Sequence, residues 1–236
     1  SYSVTGVQTC ALPISLTEVQ SKRRAALSIL FLNIGLAGAV VTILLRSPLR
    51  IAFAAIAVSG LVLFGWELHS MSRARKRLVL DWGLKSFLVA AAMLIPVCLL
   101  ALVLLWPSLP MNQSFGMLEN VYGFLGLFGV VALAILGMLH KILPFLVWFG
   151  VYSPHVGRAQ LPLTSQMVSE RAQAGGLFAY LAGLLVISIA ILRESELWVR
   201  VGGVLLLASL LLFGWNTFKV FSHFRKPQLR PLPSTK

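Results

Sequence analysis

Charge is scarce in this sequence. Only 11% of its 236 residues are Asp, Glu, Lys or Arg, where a soluble domain carries about a quarter. Acid is scarcer still, with Asp and Glu totalling 7 against 20 Lys and Arg, for a net charge of +13. With 58% apolar residues and a mean hydropathy of +0.88, a chain of this length has too little polar surface to wrap an aqueous core. The only cysteines are Cys10 and Cys98, which excludes a disulfide framework. The Cys/His spacing of a zinc site, a nucleophile–base pattern and a Gly-rich phosphate loop are missing as well. So are the short alternating segments of a membrane β-barrel.

What is present is a series of long apolar runs with charge gathered between them. A bilayer core of about 30 Å is crossed by a helix of about 20 apolar residues. Runs of that order lie at about 25–45, 51–68, 87–106, 121–150, 175–192 and 197–218. The expected fold class is therefore all-α: a polytopic transmembrane helix bundle of six spans, with the lipid bilayer as first partner.

The loops between the runs sort by charge. Lys22, Arg23 and Arg24 precede the first run. Arg73, Arg75, Lys76, Arg77 and Lys85 separate the second from the third, and Arg158 and Arg171 follow the fourth. Lys219, Arg225, Lys226, Arg230 and Lys236 close the chain. The other side receives Arg46, Arg50, Arg193 and Arg200, and none at all between Pro107 and Asn120. Lys and Arg mark the cytoplasmic side of a membrane protein, so both ends of the chain are expected in the cytoplasm of a bacterium, with the spans in its inner membrane. Topology and anionic headgroups also account for the net charge, and no nucleic-acid partner is expected.

Residues 1–14, with Val4 to Ile14 reading Val-Thr-Gly-Val-Gln-Thr-Cys-Ala-Leu-Pro-Ile, resemble the in-frame translation of a sequencing adapter and are set aside as a non-native leader. That leaves 15–226 as the transmembrane domain, lacking its true N-terminus, and 227–236 as a cytoplasmic tail.

An internal repeat is expected. Leu16-Thr17, Arg24, Arg46 and Leu63-Phe64-Gly65-Trp66 have counterparts in Leu163-Thr164, Arg171, Arg193 and Leu212-Phe213-Gly214-Trp215. The offset is 147 residues through the arginines and 149 at Phe-Gly-Trp, a two-residue insertion near the hairpin loop. The repeat covers four helices, so its copies are parallel rather than inverted. Trp66 and Trp215 read as interfacial anchors.

The fourth run is longer than a bilayer needs and contains His140, Lys141 and Pro144. Proline there is expected to kink the helix or loosen its ladder. At about 100° per residue, Tyr122, Gly126, Gly129 and His140 share one face, interrupted by Leu133. Glycines on such a face admit another backbone or a flat ligand. His140 is then either a packed side chain hydrogen-bonded to a neighbour, a metal ligand for haem or copper, or a proton relay. Lys141 is expected to snorkel to the interface, or to pair with an anionic cofactor group. Glu119, about 30 Å away along a straight helix, reads as a helix-N-terminal or solvated acid. His69, His155 and His223 read as surface histidines, and Glu67 and Asp81 as interface ion pairs of little weight.

The segment Gly137 to Trp148, Gly-Met-Leu-His-Lys-Ile-Leu-Pro-Phe-Leu-Val-Trp, together with Leu80-Asp-Trp-Gly-Leu-Lys85, resembles bacterial membrane proteins of the haem–copper oxidase subunit I-like type. The resemblance implies a haem- or copper-binding electron-transfer protein. The candidate metal ligand is then His140, from the shared face read above, with Lys141, Tyr122, Gly126 and Gly129 as the candidate cofactor-binding residues beside it. The chain departs from that family in having one histidine at membrane depth and no His-His or His-x-His pair, so a complete oxidase is not expected. A transporter or channel, or a structural or assembly subunit bound to other membrane subunits, are the alternatives.

Overall fold

The computed structural model describes residues 20–74, 80–106, 112–156, 159–227 and 230–231. Its elements are helical, apart from a two-residue antiparallel pairing of Ala159–Gln160 (β1) with Arg230–Pro231 (β2). The helices are α1 (Lys22–Leu44), α2 (Arg50–Arg73), α3 (Trp82–Leu104), α4 (Gln113–Phe124), a π-helix (Leu125–Ala132), α5 (Leu133–Tyr152), α6 (Glu170–Arg193) and α7 (Glu196–Phe221). With α4, the π-helix and α5 taken as one run, six helices among the described residues are long and apolar enough to cross a membrane. The adapter-like leader, Arg75 to Arg77, Arg158 and most of the tail lie outside the described residues.

Polar residues before four of the apolar runs cap the helix starts, whereas α2 and α7 start without a side-chain cap. The hydroxyl of Ser21 accepts the Arg24 N–H, the carboxylate of Asp81 the Leu84 N–H, and Asn112 the Phe115 N–H. Ser169 accepts the Ala172 N–H. Each side chain satisfies one of the amides that a helix start leaves without a partner. The helices begin up to eight residues before the apolar runs do. Glu119 therefore sits within α4, past the first turn and exposed, rather than at a helix start.

The described residues form two compact units, those within 15–79 and 90–130 in one and those within 80–89 and 131–236 in the other. Each contains one tight helical hairpin. In the first, Gly35 meets the backbone of Ala57 so closely that a Cβ on it would collide with the Ala57 nitrogen. Beside that contact the Ser28 hydroxyl donates to the Gly60 carbonyl at 3.0 Å. In the second, a Cβ on Gly202 would lie 2.5 Å from Ile187 Cγ1, and the Ser209 hydroxyl donates to the Gly176 carbonyl at 2.7 Å. Small residues and serine bonds of this kind join helices whose outer faces stay apolar. Leu44 and Leu211 are 78% and 65% exposed, and Trp66 and Trp215 are 61% and 67% exposed. Such faces suit lipid and do not suit water.

The second unit has a small core at the end of α5. Val147, Trp148, Tyr152, Met167 and Val220 pack together with 4% exposure or less. The indole N–H of Trp148 donates to the Pro162 carbonyl at 2.8 Å, which fixes the segment that follows α5. Tyr152 and His223 are joined at 2.7 Å between hydroxyl and Nδ1. His223 is thus buried, contrary to its expected place at the surface. The helix end it belongs to turns back over α5, a tertiary contact that its basic neighbours concealed.

Candidate functional site

The site belongs to the second unit and is set up by two glycines. α3 crosses α5 where a Cβ on Gly83 would lie 2.8 Å from the Gly137 carbonyl, and one on Gly137 would lie 2.9 Å from the Phe87 nitrogen. No other residue permits that approach. It brings the first turn of α3 against His140, whose Cβ lies 3.2 Å from the Gly83 Cβ position.

His140 is held by two contacts. Its Nδ1 is 2.9 Å from the Leu136 carbonyl, one turn earlier. A carbonyl only accepts, so Nδ1 carries the proton and Nε2 is left with its lone pair in the neutral ring. The ring stands edge-on to Phe213 of α7, with centroids 5.0 Å apart. Beside it is a cleft of about 20 Å³ bordered by Ser86, His140, Gly176, Tyr180, Ser209 and Phe213. That is room for one water. The hydroxyls of Ser86 and Ser209 already donate to Trp82 and Gly176 carbonyls, at 2.9 and 2.7 Å, and keep their acceptor lone pairs.

Lys141, the next residue, pairs with Asp81, Nζ to Oδ2 at 3.3 Å, with side chains 15% and 50% exposed. The acid that caps α3 thus also neutralises the cation nearest the imidazole. The sequence alone points to Asp81 as an interface ion pair of little weight and to Lys141 as snorkelling or pairing with a cofactor anion; the structure pairs the two with each other. Lys85, one turn into α3, lies over the Trp82 ring at 3.8 Å.

The other expected site residues fall in the first unit. Tyr122 is in α4, 38% exposed, and Gly126 and Gly129 are in the π-helix. A Cβ on Gly126 would meet nothing within 4 Å, whereas Gly129 is buried. All three fall in the first unit, and His140 and Lys141 in the second. The single face that joined them assumed an unbroken 3.6-residue period. Eight π-helical residues, Leu125–Ala132, lie between Tyr122 and His140, and a wider turn shifts that phase. Pro144 is buried inside α5, which runs through it as an α-helix.

Sequence reading missed Ser86, Tyr180, Ser209 and Phe213. Phe213 was legible, as part of the Leu-Phe-Gly-Trp match, but nothing in its spacing pointed to His140. Glu67 was given little weight and is buried, 5% exposed, the one buried acid among the described residues. No group of three or more His, Cys, Asp or Glu able to hold a metal occurs among the described residues. Compared with known proteins, the chain matches no family model, no curated protein and no solved structure.

Proposed function

We propose that this chain is a multi-pass protein of a bacterial inner membrane, with its basic helix ends in the cytoplasm, and that His140 is its working group. Six long apolar helices and the exposed apolar faces of both hairpins support the first part. Cysteine labelling tests the orientation. In a background with Cys10 and Cys98 replaced by Ser, Arg73→Cys and Ser195→Cys should react from opposite faces of sealed vesicles. Labelling from one face would reject the arrangement.

The observation that carries the second part is the Nδ1 bond to Leu136. It fixes tautomer and ring orientation and leaves Nε2 as a lone-pair donor, the state in which a histidine binds a metal or accepts a proton. The likeness to oxidase subunit I-like proteins makes haem or copper the cofactor to test. The described residues do not fit either group by themselves. At the cleft they offer the imidazole of His140, no group of three or more His, Cys, Asp or Glu, and room for a water rather than a porphyrin. The chain's own part at this site is to orient the imidazole and to neutralise Lys141 beside it. The chain is accordingly proposed as a relative of those proteins and not a complete oxidase.

Purified protein carrying a Soret band and a pyridine-haemochrome signal, both lost in His140→Ala, would establish the cofactor reading. Colourless, metal-free protein would remove it. The second reading, a transport path for a proton or small polar solute, is favoured by the hydroxyl-lined cleft beside His140. Solute-dependent flux in proteoliposomes, abolished by His140→Ala, tests it.

A further inference from the structure

The two hairpins share their helix-start caps, their turns and a bond from each second helix to the start of the first. Along α1 and α6 the register is 148 residues. Ser21 and Ser169 cap the helices by accepting the N–H of Arg24 and Ala172. At the other end Arg46 and Glu194, with φ of 50° and 51°, turn the chain in the left-handed region. The Ser47 N–H there bonds the Thr42 carbonyl at 2.8 Å, as the Ser195 N–H bonds that of Ala190 at 3.1 Å. Along α2 and α7 the register is 149, and Gly60 corresponds to Ser209. The serine–glycine bond is present in both, with donor and acceptor exchanged between the helices: Ser28 to Gly60 in one, Ser209 to Gly176 in the other. In this register the arginine matches behind the offset of 147 are one residue out. The caps and interhelical bonds set the register here, because each ties a named backbone group to one side chain.

The same register pairs Glu67 with Asn216. Glu67 Oε1 accepts the Ser21 N–H at 2.9 Å, and Asn216 Oδ1 accepts the Ser169 N–H at 2.8 Å. Each side chain near the end of the second helix ties down the start of the first. The joints differ in charge. Glu67 Oε2 lies 3.2 Å from Arg24 Nε, a contact without hydrogen-bond geometry, and Arg24 also sits 5.9 Å over the Trp66 ring. At the position of Arg24 the second hairpin has Ala172.

We propose that the hairpins are two copies of one module, and that Glu67 with Arg24 forms an ionic latch added to a joint the module closes with neutral groups. Carboxylate and arginine are present together in one copy and absent together in the other. That is what electrostatics requires, because a buried acid without its cation is strongly destabilising, while a neutral replacement of the whole pair is tolerated. The charge is therefore surplus to closing the joint. It makes the start of α1, and not that of α6, dependent on an ion pair.

The test is a mutant cycle on the full chain in detergent or nanodiscs, read by thermal unfolding and by amide exchange at residues 21–24 and 169–172. Arg24→Ala should lower the melting temperature, and adding Glu67→Gln should restore most of the loss. Glu67→Gln alone should leave Ser21 protected, whereas Glu67→Ala should speed its exchange about tenfold or more. Asn216→Ala should do the same at Ser169, a readout that survives if Glu67→Ala does not fold. The proposal is overturned if Arg24→Ala is silent, if Glu67→Gln fails to rescue it, or if Asn216→Ala leaves Ser169 protected.

Discussion

Asp81 serves Lys141 and the α3 backbone at once, Oδ2 facing Nζ at 3.3 Å while Oδ1 accepts the Leu84 N–H at 2.9 Å. The two roles separate by substitution. Asp81→Asn keeps a capping oxygen and removes the charge, so it reports on Lys141 alone. Asp81→Ala loses both, and should cost about 1 kcal/mol more through the lost cap. If Lys141→Met is combined with Asp81→Asn, the loss caused by Asp81→Asn alone should be recovered. Denaturation of the purified protein measures all three.

Adjacent glycines in α7 should respond oppositely to alanine. A Cβ on Gly202 would crowd Ile187, while one on Gly203 would meet nothing within 4 Å. Gly202→Ala should destabilise the hairpin by about 1–3 kcal/mol through overpacking. Gly203→Ala should be neutral or stabilise by up to about 1 kcal/mol, from helix propensity. Equal effects would contradict the close packing of α6 on α7.

At the crossing of α3 and α5, Gly137→Ala should move His140 as well as weaken the fold, because the same contact positions both. The imidazole resonances of His140 should shift in Gly137→Ala and stay in place in Gly126→Ala, whose Cβ has open space. A shift in both would disconnect the crossing from the site.

Tyr152→Phe should cost about 1–3 kcal/mol, the price of leaving a buried polar group without its partner. Its hydroxyl meets His223 Nδ1 at 2.7 Å, and Tyr152 itself is fully buried. A double variant with His223→Leu should lose less than the two single losses added together. Additive losses would show that the two groups do not act as a pair.

The six helices were legible because length and apolarity alone decide them, and the order of the runs at 25–45 through 197–218 reappears in the helices. What the one-dimensional pattern could not carry was partnership. Asp81 and Lys141 are far apart in sequence, so their pairing depends on the glycine crossing at Gly83 and Gly137. His223 and Glu67 look like interface residues, since basic neighbours surround both in the chain. The candidate site was half legible. His140 stands out as the polar residue of an oily run, but Tyr122, Gly126 and Gly129 were joined to it by a period that the π-helical stretch does not keep. No periodicity analysis locates such a stretch, because Leu-Gly-Leu-Phe-Gly-Val-Val-Ala is as compatible with an ordinary helix.

The serine-to-glycine bonds of the two hairpins bear on how each holds together in the bilayer. Alone in hydrocarbon, α2 would carry no serine donor for Gly60, and Ser209 of α7 would have to turn back on its own helix. Paired, each finds its partner on the helix that a short turn has just delivered. A single helix can settle its backbone in oil, so what the pair adds is one bond between helices, and each hairpin should stay together once both of its helices are in place.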